Sequence, residues 1–160
     1  MIPTTLSREA YENYIYQLRE YHPSVRFSTL VIAPPGIYAT YLAGLVGFGE
    51  NIVLCIHETL NFLNRSIVRY SYDVSRTPQP FSSGFIPNAS EYCLFRYPDK
   101  EILYWYDSWP HPNDASLAST HPHHKHIPPD IKHHRIPAPG LSFTRPNLPF
   151  LIEEIEQELL

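Results

Sequence analysis

Local cysteine chemistry is the first thing this sequence lacks. Its two cysteines, Cys55 and Cys93, stand far apart with no Cys-x-x-Cys pair, which excludes a sequence-local zinc or redox motif. Each lies in an apolar run, so a reduced, buried thiol is the expectation. No apolar run reaches the ~18 residues of a membrane span. No basic start leads into an apolar run, as a signal peptide would, so the expectation is a cytoplasmic protein with no membrane partner. Charge of one sign is also missing. The 12 Lys and Arg against 16 Asp and Glu give a formal net charge of −4, so any nucleic-acid contact must come from a local patch. There is no internal repeat and no compositional break, and a single domain spanning residues 1–160 is expected.

What is present is a core. Of the 160 residues 43% are hydrophobic, including 12 Tyr and 8 Phe, which excludes wholesale disorder. Ser7 can cap a helix over about residues 7–21, in which Tyr11, Tyr14, Ile15, Leu18 and Tyr21 recur at helical spacing. His22-Pro23 ends it. A sheet is expected over about residues 27–107. Its strands are 27–33, 37–48, 51–60 and 66–74, followed by a hairpin pairing 92–97 with 102–107 across Pro98-Asp99-Lys100-Glu101. In the strand 66–74, Val68, Tyr70, Tyr72 and Val74 are expected to face the core, with Ile67, Arg69, Ser71 and Asp73 outward. Glu58 reads as a solvent-facing strand residue. Residues 76–89 read as a long loop, and 148–160 as an amphipathic helix. The fold class is therefore α+β, with a single antiparallel β-sheet of about six strands flanked by N-terminal and C-terminal helices.

One stretch fits no core. Residues 119–126, Ser-Thr-His-Pro-His-His-Lys-His, hold four histidines and a lysine, and seven of the nine histidines lie in the segment 111–135. A run this polar cannot all face inward, and its five prolines between Pro110 and Pro129 keep it extended.

Several strings resemble one family. They are Arg69-Tyr70-Ser71-Tyr72, then Tyr106-Asp107-Ser108-Trp109-Pro110-His111, then Thr120-His121-Pro122-His123-His124-Lys125-His126, with a short helix closing the chain. Together, over about residues 42–160, they resemble the TumE-type toxins of bacterial toxin–antitoxin pairs. The resemblance implies a small cytoplasmic toxin, encoded beside a helix-turn-helix antitoxin and acting on RNA or translation. Where the family commonly carries an arginine before the Tyr-Asp pair, Trp105 stands here.

The residues allow three readings. RNA cleavage without a metal needs a base, an acid and a cation, and histidines with a lysine supply all three near neutral pH, so metal-independent cleavage is the expectation. On this reading His123, His124, Lys125 and His126 are catalytic, with Asp107 orienting an imidazole. Arg69 and His121 bind substrate, and Tyr106 and Trp109 stack bases. In an extended chain His124 and His126 point one way and His123 and Lys125 the other, so Lys125 reaches the phosphate only if the strand twists. The second reading is non-catalytic docking on an antitoxin, a ribosome or another partner, with a homodimer left open. The third is metal binding, because His-x-His puts two ligands on one side. The third ligand is not visible in the sequence; His57, Glu58 or Asp107 would have to be brought in by the fold, so no metal ligand and no cofactor is assigned.

Overall fold

The computed structural model describes residues 1–94 and 97–160. The elements run α1 (Arg8–Tyr16), α2 (Leu18–Tyr21), β1 (Val25–Ser28), β2 (Val31–Ala33), β3 (Thr40–Phe48), β4 (Ile52–Asn61), β5 (Ser66–Arg76), α3 (Ala89–Tyr92), β6 (Glu101–Asp107), β7 (His124–His126), β8 (Arg135–Pro137) and α4 (Leu148–Glu158). The class is α+β, with one eight-stranded sheet in the order β1-β3-β4-β5-β6-β7-β8, and β2 also on β3. Every pairing is antiparallel.

The strand count exceeds the expected six for two reasons. The first expected strand is broken into β1 and β2, both paired to β3. The Pro/His segment, which lacks the β-branched and apolar residues of a usual strand, contributes β7 and β8 at the edge of the sheet. The N-terminal helix forms where expected, with Ser7 Oγ accepting from the Ala10 N–H, but breaks at Gln17 into α1 and α2.

One face of the sheet lies under α1 and α4. Tyr11, Tyr14 and Ile15 from α1 and Leu148, Leu151, Ile152 and Ile155 from α4 are buried with Leu42, Leu54, Tyr72, Val74 and Tyr104. Burying a side chain of this size contributes about 1.5–3 kcal/mol, so this layer holds the fold together. Toward the β1 end of the opposite face a smaller cluster gathers Leu45, Val53, Cys55, Phe81 and Tyr92. The rest of that face carries polar residues.

Four expectations need correction. Residues 92–97 do not form a hairpin strand where they are described. Tyr92 ends the helical turn α3 and packs into the small cluster, Cys93 follows in a turn, and β6 pairs with β5 instead. Phe95 and Arg96 lie outside the described residues. Cys55 and Cys93 form a disulfide, which ties that excursion to β4. The register of β5 shifts against β4 between Thr59 and Leu60. A bulge there swaps sides, so Ile67 is buried and Val68 is 55% exposed, while Tyr70, Tyr72 and Val74 face the core as the alternation predicts. Finally, Glu58 is fully buried, because its register partners Leu42 and Tyr70 put it on the helix-covered face.

Glu58 is kept there by tyrosines. The hydroxyls of Tyr11 and Tyr72 donate to its two oxygens at 2.9 and 2.6 Å. Burial pushes its carboxyl up from the ordinary 4.5 to about 7, against the pull of those two hydrogen bonds. Asn147 in turn donates to the Tyr72 hydroxyl, so this polar cluster closes on itself.

Candidate functional site

The open face is assembled by strand register. Asp107 at the end of β6 is paired with His124 of β7, and Trp105 with His126. Across β7, His126 is paired with Arg135 of β8. Cross-strand partners project on the same side, so two rows run across the face. One is His57–Ser71–Asp107–His124 and the other Asp73–Trp105–His126–Arg135.

At the centre three donor atoms converge. Asp107 Oδ1 lies 3.0 Å from His124 Nε2, Asp107 Oδ2 lies 3.2 Å from His126 Nε2, and the two Nε2 atoms are 3.0 Å apart. Each ring is fixed from behind. His124 Nδ1 lies 2.9 Å from the Pro122 carbonyl and His126 Nδ1 lies 2.8 Å from the Ile131 carbonyl. A carbonyl only accepts, so both Nδ1 atoms carry hydrogen. Trp105 stacks on the His126 ring at 4.1 Å between centroids, and its indole N–H donates to Asp107. His111 packs edge-on against His124. The imidazoles are buried, and the Asp107 side chain keeps 22% exposure.

The electrostatics follow from this contact. Burial alone would raise the Asp107 carboxyl. The hydrogen bonds to His124 and His126, with the backbone N–H of Trp109, outweigh burial and hold it well below the carboxylate range. Burial would lower His124, and its bonds to Asp107 and Pro122 raise it instead. His111 is lowered, first by desolvation and then by the neighbouring Arg135. Arg135 stands 3.8 Å from Asp114, and its buried Nε has no hydrogen-bond partner among the described residues.

A groove of ≈ 540 Å³ adjoins the centre, lined by Asp107, Trp109, Arg69, Val68, His57 and Ser71 among others. Trp109 is 72% exposed, and its backbone N–H donates to Asp107. Arg69 Nε bonds Thr59.

The five residues expected to act together are divided by the sheet. Asp107, His124 and His126 meet. Lys125 alternates to the covered face, where its ammonium pairs with Glu154 of α4 and lies 4.0 Å from the centroid of the Tyr104 ring. No twist brings it round, because β7 is held in register on both edges. His123 also turns to the covered side, with Nδ1 2.6 Å from the Tyr70 hydroxyl and its ring stacked on Tyr70. Tyr106 is buried and donates to Glu154, so it offers no base-stacking surface. Arg69 and Trp109 do reach the groove, whereas His121 is exposed and lines neither it nor the centre.

Three neighbours were not singled out from sequence: His111, Arg135 and Trp105 as a packing partner. Arg135 sits in a Pro-rich string that reads as loop, and only the β7–β8 pairing shows where it points. Among the described residues no helix is long and apolar enough to cross a membrane.

A family model described as Toxin TumE matches residues 15–159. No curated protein and no solved structure matches the chain. The family match begins at the end of α1 and spans α2, the whole sheet, α4 and every residue of the Asp107–His124–His126 centre. The chain therefore belongs to the TumE toxin family.

Proposed function

We propose that this toxin acts on RNA, cleaving the phosphodiester backbone at the Asp107–His124–His126 centre. The observation that carries the reading is the convergence of one carboxylate and two imidazoles beside a groove that offers a guanidinium and an exposed indole. The reaction forms a bond from the 2′-oxygen to phosphorus and breaks the bond from phosphorus to the 5′-oxygen. The 2′-hydroxyl proton passes to the centre and the departing 5′-oxygen takes one up, leaving a 2′,3′-cyclic phosphate and a 5′-hydroxyl. Proton transfers of this kind contribute about 10²–10⁴-fold each. The cation expected in Lys125 is supplied instead by Arg135 and Arg69, which stand on the reacting face. Trp109 gives a base a surface to stack on.

The same groove motivates a second reading, in which the toxin works by docking without chemistry. Val68 and Trp109 are apolar and exposed, and both line it, a composition suited to a protein partner. In either reading a helix-turn-helix antitoxin would neutralise the toxin by covering this groove, in the cytoplasm where RNA and ribosomes are reached.

The deciding experiment expresses the wild type and Asp107→Asn with and without the neighbouring antitoxin gene. It follows growth and maps RNA ends in the arrested cells. Growth arrest with new cyclic-phosphate ends in the wild type, both lost in Asp107→Asn, supports cleavage. Arrest that survives the substitution, with no new ends, establishes docking instead.

A further inference from the structure

We infer that Asp107, His124 and His126 form a binding site for one divalent transition-metal ion of the zinc class. Both Nδ1 atoms donate to backbone carbonyls, which leaves Nε2 as the ring atom each histidine aims inward. Two such nitrogens and two carboxylate oxygens meet within 3.0–3.2 Å. A metal ion displaces any proton held on such nitrogens. One ion at this point then engages all three side chains at once.

The geometry suits the ion. Zinc binds imidazole nitrogen at about 2.0–2.1 Å and carboxylate oxygen at about 2.0–2.2 Å in tetrahedral sites. At tetrahedral angles such donors lie roughly 3.3 Å apart, so only slight spreading of the three atoms is needed. The backbone carbonyls behind both rings are the outer partners that metal-bound histidines use to fix tautomer and orientation. Nitrogen and oxygen donors with no thiolate select zinc, cobalt or nickel over calcium or magnesium.

Three protein ligands leave a position open, and the surroundings say what it takes. Arg135 lies next to His126, and its buried Nε has no hydrogen-bond partner among the described residues. A dication beside a guanidinium calls for an anion to sit between them. A phosphoryl oxygen, bound to the ion and to Arg135 together, is that anion. This last step rests on the RNA reading above, whereas the binding of the ion does not. With the three donors holding the ion they would not take the 2′-hydroxyl proton themselves; an ion-bound hydroxide would accept it, and the ion would supply Lewis-acid chemistry at the scissile phosphate.

The test uses the full chain, stripped by dialysis against a strong chelator and titrated with cobalt(II) as a visible probe of four-coordinate geometry. The wild type should take up one equivalent with intense visible absorption, and zinc should displace it. Asp107→Asn and, separately, His126→Gln should each weaken cobalt binding by at least about tenfold, since each removes one of only three ligands. The surface variant His133→Ala with His134→Ala should bind as the wild type does. Wild-type protein that takes up no stoichiometric cobalt overturns the inference. So does binding that survives Asp107→Asn and His126→Gln but is lost in the surface variant, which would locate the ion in the exposed loop. Because cobalt uptake is read on the wild type, a misfolded variant cannot rescue the idea. RNA cleavage is assayed separately on stripped and zinc-loaded protein. Cleavage that persists in a chain unable to bind metal defeats the ion and spares the RNA reading. Stoichiometric metal with no cleavage does the reverse.

Discussion

On the helix-covered face of the sheet, Glu58 is gripped by the hydroxyls of Tyr11 and Tyr72, and Lys125 by Glu154, so each charge has a partner of its own. On the open face, a few ångströms through the same strands, Asp107, His124 and His126 crowd one another, and the Arg135 Nε has no partner among the described residues. The residue types are alike, yet one set is paired off and the other is aimed at a shared point. Paired charges under a helix give fold and register. Converging donors beside a groove give a place for a ligand. Lys125 and His126 are adjacent in sequence and belong to opposite sides of this division.

The largest effect should come from the open face. Asp107→Asn preserves volume and removes the charge at the centre, and RNA cleavage should fall by roughly 10²–10⁴-fold. Circular dichroism should show the chain still unfolding cooperatively. Alanine at His124 or His126 is a poorer probe, since both rings are buried and their removal leaves a cavity.

Next in size is a change that should leave chemistry alone. Glu154→Ala strands the Lys125 ammonium and the Tyr106 hydroxyl under α4. Breaking a buried pair from one side costs about 3–5 kcal/mol. Urea denaturation should show that loss, while cleavage per folded molecule stays near wild type. Equal loss of both quantities would erase the distinction between the faces.

Glu58 sharpens the comparison through pH. Its folded value, raised from 4.5 to about 7, means the native state holds the proton more tightly than the unfolded chain. Its contribution to stability is fully present below about pH 4.5 and is lost as pH rises through about 7. Each pH unit in that window is worth about 1.4 kcal/mol, or roughly 3 kcal/mol in total. The difference between wild type and Glu58→Gln in pH-dependent denaturation isolates this group. A constant difference from pH 4 to 8 would refute the buried, proton-holding carboxyl.

A smaller effect is expected at the groove wall. Trp109→Ala should weaken single-stranded RNA binding by about 1–3 kcal/mol, the worth of one stacked base, with no change in unfolding midpoint because the indole is exposed. The smallest is the control, His133→Ala with His134→Ala, which should move stability by under about 0.5 kcal/mol and leave cleavage unchanged.

Alternation made part of this division legible in advance. A strand period of two puts His124 and His126 together and sends His123 and Lys125 the other way, whatever the strand pairs with. Periodicity also marked the terminal helices, the capping by Ser7 and the antiparallel core strands. It failed where a single residue changes the phase. The bulge between Thr59 and Leu60 buries Ile67 and exposes Val68, and no local pattern announces it. It failed again at residues 92–94, where the contacts of Tyr92 and Cys93 with distant strands override strand propensity.

The sequence by itself determined the α+β class, the resemblance to TumE toxins, and which histidines share a side, because all three depend on local periodicity and on contiguous residues. Tertiary structure alone decided that Asp107 is the third donor, that Arg135 rather than Lys125 stands beside the centre, that Cys55 meets Cys93, and that Glu58 is buried. Each of these is a meeting between residues far apart in the chain. Such meetings are set by strand order and register, and those are fixed only when the whole sheet packs against its helices.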